Sequence, residues 1–156
     1  MDHKLKLMVV DDSPLFRTWL IHSLSADDRF QVVGYAVNAL DAQEKIPLLQ
    51  PDMLTLDIEM PGMSGIEFLK QLLPVHPIPV ILVSSLNLRV FDALEAGAVD
   101  FVRKPDEANG LSKEIFLSML RSKLMIAAAS HVHLPSVPAD PQAGGIRKVS
   151  SLPPAR

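Results

Sequence analysis

A strand-like apolar run passes straight into a helix start in the segment Leu5-Lys-Leu-Met-Val-Val-Asp-Asp-Ser13-Pro14. The apolar run at residues 5–10 is too short for a helix and rich in strand formers. Its near-continuous apolar end fits a strand that is buried on both faces. Ser13 followed by Pro14 is typical of a helix N-cap and first helical residue. The segment therefore predicts a β-strand followed directly by an α-helix.

The same pattern recurs along the chain. Four further apolar runs have the length of strands, at residues 30–37, 53–56, 79–83 and 99–102. Between them, Asn38 and Ser64 are predicted helix caps and Gly97 a helix terminator, and a fifth helix is expected from about Leu111 to Ala129. Strand–helix repeats of this spacing favour right-handed crossovers and a parallel sheet. We predict an α/β fold, doubly wound, with a five-stranded parallel sheet.

Composition narrows the classes of function. The 156 residues, 48% hydrophobic, suffice for one core of ordinary size. A net charge of −3 gives no electrostatic reason to bind nucleic acid or an anionic membrane, and the absence of cysteine excludes disulfides and thiolate chemistry. No apolar stretch approaches the ~20 residues that cross a bilayer. We expect a cytoplasmic protein without a nucleic-acid or membrane partner.

The composition changes at residue 131. From there onward the chain has no aromatic residue, a Gly144-Gly145 pair and five prolines, at positions 135, 138, 141, 153 and 154. Such a segment is typical of a linker or tail. We therefore predict a domain over residues 1–130 and a proline-rich linker or tail over 131–156. Because this sequence contains no second domain after the linker, we expect the chain to be part of, or shortened from, a longer protein.

Polar and potentially reactive side chains follow four of the predicted strands: Asp11 and Asp12, then Asp57, then Ser84 and Ser85, and finally Lys104. In doubly wound sheets, ligands bind beyond the carboxyl ends of the strands. If the first and third strands are neighbours, the aspartates converge, and two carboxylates ~4 Å apart repel by roughly 4 kcal/mol at an effective dielectric of about 20. Such a cluster calls for a cation, and oxygen ligands of this kind suit Mg²⁺.

Phosphoryl transfer needs an attacking oxygen, a bound metal ion, a cationic side chain and a hydroxyl, and these residues would supply or hold each of them. Asp57 is the preferred nucleophile because it follows the most central strand, whereas Asp11 and Asp12 are better suited to holding metal. Taken singly, either aspartate would be a helix N-terminal anion, Lys104 a solvated lysine and Ser84 a capping hydroxyl. The four kinds of group at successive strand ends favour the joint interpretation.

These residues resemble the response-regulator receiver family. The matching motifs are Val9-Val-Asp-Asp-Ser13, Leu54-Thr-Leu-Asp-Ile-Glu-Met-Pro-Gly-Met-Ser-Gly65, Val83-Ser-Ser85 and Ala96-Gly-Ala-Val-Asp-Phe-Val-Arg-Lys-Pro105. The resemblance implies a flavodoxin-like topology with strand order 2-1-3-4-5. It also implies that Asp57 takes a phosphoryl group from a phosphohistidine on a sensor histidine kinase.

The resemblance further implies a set of metal ligands. Asp12 and Asp57 would bind Mg²⁺ directly, Glu59 through its backbone carbonyl and Asp11 through water.

Two more roles follow from the resemblance. Ser84 and Lys104 would bind the phosphoryl oxygens. Ser84 and Phe101 would act as the switch, with the aromatic side chain changing rotamer to report the phosphorylation state to the surface.

Within the family, segments 57–61, 79–86 and 93–101 are most similar to the receiver of the chemotaxis protein-glutamate methylesterase. There the receiver restrains a C-terminal esterase domain across a linker, and the proline-rich tail fits such a linker. The sequence has no Gly-x-Ser-x-Gly elbow, so we expect no esterase activity in this chain. The sequence departs from the methylesterase receivers at two places. The distance from Ser84 to Gly97 is 13 positions, which is shorter than in those receivers, and Ser64 stands where aspartate is common.

Two other functions compete. Haloacid-dehalogenase-type phosphatases also use an aspartyl nucleophile and Mg²⁺. In that family, however, the nucleophile follows the first strand in an Asp-x-Asp motif, whereas Asp57 follows the third strand. A stand-alone receiver that acts by docking or as a phosphate sink is the second alternative.

Overall fold

The computed structural model describes residues 4–85, 89–106, 108 and 110–133. Strands and helices alternate within them: β1 Leu5–Val10, α1 Pro14–Ser25, β2 Phe30–Ala36, α2 Ala39–Leu49, β3 Met53–Leu56, α3 Gly65–Leu72, β4 Val80–Ser84, α4 Arg89–Glu95, β5 Asp100–Arg103 and α5 Lys113–His133. The five strands form one sheet in the order β2-β1-β3-β4-β5. All pairings are parallel. The predicted fold class and strand order are confirmed.

Apolar side chains cover both faces of the sheet, which explains the near-continuous hydrophobic strands. One cluster joins alternate strand residues such as Leu54 to residues of α2, α3 and α4, including Phe68. The other joins the remaining strand residues such as Met53 to α1 and α5, including Phe116. All four residues of β3 are buried. The strand that precedes Asp57 is therefore buried and central in the sheet, as predicted.

The predicted helix caps are in place. Ser13 Oγ accepts the backbone N–H of Phe16 at 3.4 Å, and Asn38 Oδ1 accepts that of Asp41 at 2.8 Å. Ser64 Oγ likewise accepts a backbone N–H, from the third residue after it, at 3.2 Å. Each hydroxyl or amide satisfies one of the helix's unpaired N–H groups and fixes where the helix begins. Gly97 follows α4 with a φ of 122°, a conformation that favours glycine.

Element ends differ from the prediction by one to four residues. Strands β4 and β5 begin and end one residue later than expected, and β2 ends one residue earlier. Helix α5 begins at Lys113 because Ser112 caps it, its Oγ accepting the Ile115 N–H at 3.1 Å. The helix continues to His133, four residues past the expected end at Ala129.

The rest of the predicted tail, from residue 134, lies outside the described residues, so the division into domain and linker stays a prediction. None of the described helices combines the length and the apolar character that crossing a bilayer requires.

Candidate functional site

Three carboxylates meet at the carboxyl edge of the sheet. Asp11 and Asp12 follow β1, Asp57 follows β3, and one oxygen from each lies within 4.8 Å of the others. Asp11 and Asp57 are buried, whereas Asp12 is exposed. Oxygen atoms so arranged, with one side open to solvent, fit a hard divalent cation that keeps several of its waters. The sequence prediction that these three residues converge is confirmed.

The Asp57 carboxylate is held by donors on both oxygens. Oδ1 accepts the backbone N–H of Glu59 at 3.0 Å and the Oγ–H of Ser84 at 3.2 Å. Oδ2 accepts from Nζ of Lys104 at 3.3 Å. The side chain is 6% exposed, so these donors replace most of its water. They fix the orientation of the carboxylate at the end of the central strand.

Lys104 is shared between two buried acids. Its Nζ lies 3.0 Å from Asp11 Oδ2 and 3.3 Å from Asp57 Oδ2. Burial acts to lower the pKa of Lys104, but the two carboxylates outweigh burial and the pKa is raised above its ordinary value. The ammonium group therefore stays charged in the site.

Asp11 is pulled in two directions. Burial raises the pKa of its carboxyl, and the N–H of Ser13 and the ammonium of Lys104 only partly oppose that effect. A single lysine cannot fully compensate two buried carboxylates, Asp11 and Asp57. The negative charge that remains is the physical reason why the cluster fits a cation.

Asp11 also supports the N-terminus of α1, the role expected for an aspartate at this position taken singly. Its Oδ1 accepts the Ser13 N–H at 2.8 Å, so the same side chain supports the start of α1 and contributes to the acidic cluster. The two predicted serines differ: Ser84 is buried against Asp57, whereas Ser85 is exposed.

The two other predicted residues are Glu59, which contacts the acceptor through its backbone, and Phe101 in β5. Glu59 donates its backbone N–H to Asp57, and its side chain is exposed. Phe101 is half-buried in β5 and packs against the apolar cluster beneath α2, α3 and α4. Its carbonyl accepts from Nζ of Lys123 at 2.9 Å. The assigned roles of Glu59 as a ligand and Phe101 as a switch stay predictions.

Sequence reasoning missed two residues of the first helix. Arg17 donates from a guanidinium nitrogen to the carbonyl of Asp11 at 2.8 Å, and Nζ of Lys104 lies 4.6 Å from the ring centroid of Phe16. The signal available was an aromatic and a basic residue in the first two turns after the acidic pair. The spacing alone does not tell which side chains of these turns reach back over the strand ends.

Gly65 allows the loop after Asp57 to fold back tightly. A Cβ at this position would lie 2.6 Å from the Cα of Ile58 and 3.1 Å from the carbonyl oxygen of Asp57. The Gly65 N–H donates to the Ile58 carbonyl at 3.2 Å. Only glycine permits this approach, which ties the start of α3 to the residue after the predicted acceptor.

The family model described as "Response regulator receiver domain" matches residues 7–116. A protein-glutamate methylesterase/protein-glutamine glutaminase 2 from Syntrophomonas wolfei is 46% identical over 129 residues, which is 83% of this chain and 38% of that protein. The chain thus spans less than two fifths of this relative's length.

Two solved structures are also similar. The response regulator domain of Thermotoga maritima CheB is 37% identical with a TM-score of 0.72, covering 81% of this chain and 98% of that one. The crystal structure of the P1 domain of CheA3 in complex with CheY6 from R. sphaeroides contains a chain 28% identical with a TM-score of 0.66, covering 80% of this chain and 97% of that one.

Proposed function

The chain belongs to the response regulator receiver domain family, and from this we propose that Asp57 accepts a phosphoryl group from a phosphohistidine on a sensor histidine kinase. The observation that carries the proposal is the setting of the Asp57 carboxylate, which lies at the end of the central strand with Ser84 and Lys104 as donors. The acidic pair after β1 stands beside it. Each group has a counterpart among the requirements of phosphoryl transfer.

In the proposed reaction, a carboxylate oxygen of Asp57 bonds to phosphorus while the nitrogen–phosphorus bond of the phosphohistidine breaks. The electron pair of that bond returns to the imidazole nitrogen, and the product is an aspartyl phosphate. Lys104 is close enough to neutralise charge on the phosphoryl oxygens, and Ser84 Oγ–H can turn from Asp57 Oδ1 to one of those oxygens.

The residues present fit Mg²⁺, which we propose as the cofactor. Asp12 and Asp57 would bind it directly, Glu59 through its carbonyl and Asp11 through water. The bound ion would neutralise charge between the acceptor and the incoming phosphoryl group. The support for this ligand set is the convergence of the three carboxylates and the raised pKa of the buried Asp11.

We further propose that phosphorylation is reported through Ser84 and Phe101 to a chemotaxis-type output. The Syntrophomonas wolfei relative, which is similar to 83% of this chain, is a methylesterase, and this favours the regulatory part of such an enzyme over a stand-alone receiver. Hydrolysis of the methyl ester would then be carried out by a covalently linked domain. Residues 134–156, after the end of α5, would serve as the linker, and a cytoplasmic kinase of the chemotaxis type would be the phosphodonor.

Acetyl phosphate labelling tests the acceptor. With Mg²⁺ and acetyl phosphate, intact mass spectrometry should show one phosphoryl group on the wild-type chain and none on Asp57→Asn. Asp12→Asn is a matched control for the metal: it leaves the acceptor in place and should slow labelling strongly. Equal labelling of the wild type and Asp57→Asn would refute the proposal.

A further inference from the structure

Lys104 has an aromatic neighbour as well as its two acids. Its Nζ stands 4.6 Å from the centroid of the Phe16 ring, within the distance at which a ring face attracts a cation. The lysine side chain is 22% exposed, so the contact is partly shielded from water. Partial desolvation strengthens such a contact relative to one on an open surface.

Phe16 is itself fixed in place. Its ring centroid is 5.7 Å from that of Trp19 and 5.8 Å from that of Phe116, which it meets edge to face. Trp19 and Phe116 are 5.9 Å apart, so the three rings form one cluster between α1 and α5. Phe116 is fully buried, and the Ser13 cap holds the backbone of Phe16. The ring under Lys104 is therefore a rigid surface.

We infer that Phe16 is a positioning residue for Lys104. A lysine side chain has a long flexible stem and a point charge without directional preference. Two carboxylates attract the ammonium group, and the rigid ring limits the positions that it can take between them. The inference rests on the proposed function and deepens it, because it names the residue that holds the phosphoryl-binding cation ready.

The expected consequence lies in the rate of phosphoryl transfer. A donor that is held in place before the reaction stabilises developing charge without reorganisation. When the ring is removed, Lys104 keeps its charge and both carboxylates but samples more positions. The loss should be smaller than that caused by removing the ammonium itself, and it should require the ammonium to be present.

The structure offers a matched control. Phe30 belongs to the same apolar cluster as Phe116 and also lies under a cation, with the Arg29 guanidinium carbon 5.4 Å from its ring centroid. Phe30 begins β2, at the opposite end of the strands from Asp57. Phe30→Leu therefore removes a ring from the same core and from a similar contact without touching Lys104.

The experiment is a double-substitution cycle with Phe16→Leu and Lys104→Met. The rate constant for labelling by acetyl phosphate is measured at saturating Mg²⁺ for the wild type, both single variants and the double variant. Phe16→Leu should lower the rate constant roughly threefold to tenfold. In the Lys104→Met background, the same substitution should have no further effect. Phe16→Tyr, which keeps the ring, should restore most of the rate, and Phe30→Leu should leave it unchanged.

The same four proteins are also unfolded by urea without metal, where the effects of the two substitutions on stability should be non-additive. An equal loss of rate in both lysine backgrounds, or additive stabilities, would show that Phe16 acts only as core and would overturn the inference. A wild type that takes no label while its stabilities remain non-additive would overturn the proposed function and leave the Phe16–Lys104 contact standing.

Discussion

The backbone N–H of Asp57 donates to the carbonyl of Val10 at 3.0 Å, so the last bond between β1 and β3 is made by the predicted acceptor itself. Val10 is aligned with Leu56 in the parallel register of these strands. The residues that follow, Asp11 and Asp57, therefore leave the sheet at the same level and side by side. The geometry of the acidic cluster is a direct result of strand register.

Magnesium should stabilise the fold. A cation that binds the folded cluster relieves the repulsion among Asp11, Asp12 and Asp57 and adds about 2.7 kcal/mol to the free energy of unfolding at 100 times its Kd. Urea unfolding is compared in MgCl₂ and in KCl of equal ionic strength. The control is Asp12→Asn, whose exposed side chain can be changed with little effect on packing and which should lose most of the gain. An unfolding midpoint indifferent to Mg²⁺ would contradict the metal site.

Ser84→Ala and Lys104→Ala should separate phosphorylation from its output. Both side chains contact Asp57 without supplying the attacking oxygen, so slow labelling by acetyl phosphate should persist. The change in partner binding that labelling causes should be lost, because the groups that would read the phosphoryl oxygens are gone. Binding of the cognate partner is measured before and after labelling, with Ser85→Ala, on the exposed neighbour, as control. A variant of Ser84 or Lys104 that retained the full change in binding would show that the switch lies elsewhere.

Gly65→Ala should disturb the acceptor loop. The added Cβ would meet the Cα of Ile58 at 2.6 Å, and backbone atoms cannot turn away as a flexible side chain can. Overpacking of this kind costs about 1–3 kcal/mol of unfolding free energy. Labelling of Asp57 should also slow, because the clash lies directly beside its carbonyl.

Gly62→Asn is the matched control for that substitution. Gly62 has a φ of 79° with nothing within 4 Å of an added Cβ, and asparagine adopts a positive φ with less strain than most other residues. Its labelling rate should stay near that of the wild type. Two variants with the same labelling rate and stability would refute the close approach at Gly65.

Asp27 should make stability depend on pH in the acid range. The Arg29 guanidinium donates hydrogen bonds to the Asp27 carboxylate. The positive charges of Arg29 and of Arg121, which lies 3.6 Å away, act in the same direction. Together they lower the pKa of Asp27 from 3.8 to about 2. Because the folded pKa is the lower one, the stabilisation is present above pH 4 and is lost as the pH falls through about 2. Solvent around Arg29 screens the ion pair, so the effect on stability should be small.

Asp27→Asn provides the measurement. By urea unfolding, this variant should be less stable than the wild type at pH 7, and the difference should shrink as the pH falls from 4 towards 2. A difference that is the same at both ends of this range would mean that the Asp27 charge is not responsible.

Local signals in the sequence predicted most of the fold. Short runs of strand formers identify β1 and β3, and Ser13 and Asn38 cap their helices as expected. The parallel order then brings Asp11, Asp57 and Lys104 to one edge. What could not be predicted depends on side-chain direction and on close backbone approach: that Phe16 reaches under Lys104, that Arg17 binds the Asp11 carbonyl, and that the backbone of Gly65 lies against Ile58. These contacts follow from how helices pack on the sheet, which spacing in the sequence does not specify.

The domain should end with helix α5. Helix α5 is held to the body by Lys123, which binds Asp100 Oδ1 at 3.0 Å, and by the buried Leu124 and Ala127. Beyond it, the composition of the chain lacks apolar periodicity, and ordering each residue would cost roughly 1–2 kcal/mol of conformational entropy without compensation. The sequence therefore predicts a segment that is not required for the acceptor site. Limited proteolysis should remove residues after the end of α5 and leave labelling of Asp57 at its full rate.

The same experiment tests whether residues 134–156 have a function of their own in this chain. A version ending at His133 should match the full chain in labelling rate and in the stabilising effect of Mg²⁺. Neither version should hydrolyse methyl esters of a methylated chemoreceptor, because the sequence lacks a nucleophilic serine elbow. A protease-resistant segment whose removal abolishes labelling would show that residues 134–156 are part of the domain. Ester hydrolysis by the purified chain, lost on removal of those residues, would place catalysis within them and overturn the assignment of a purely regulatory unit.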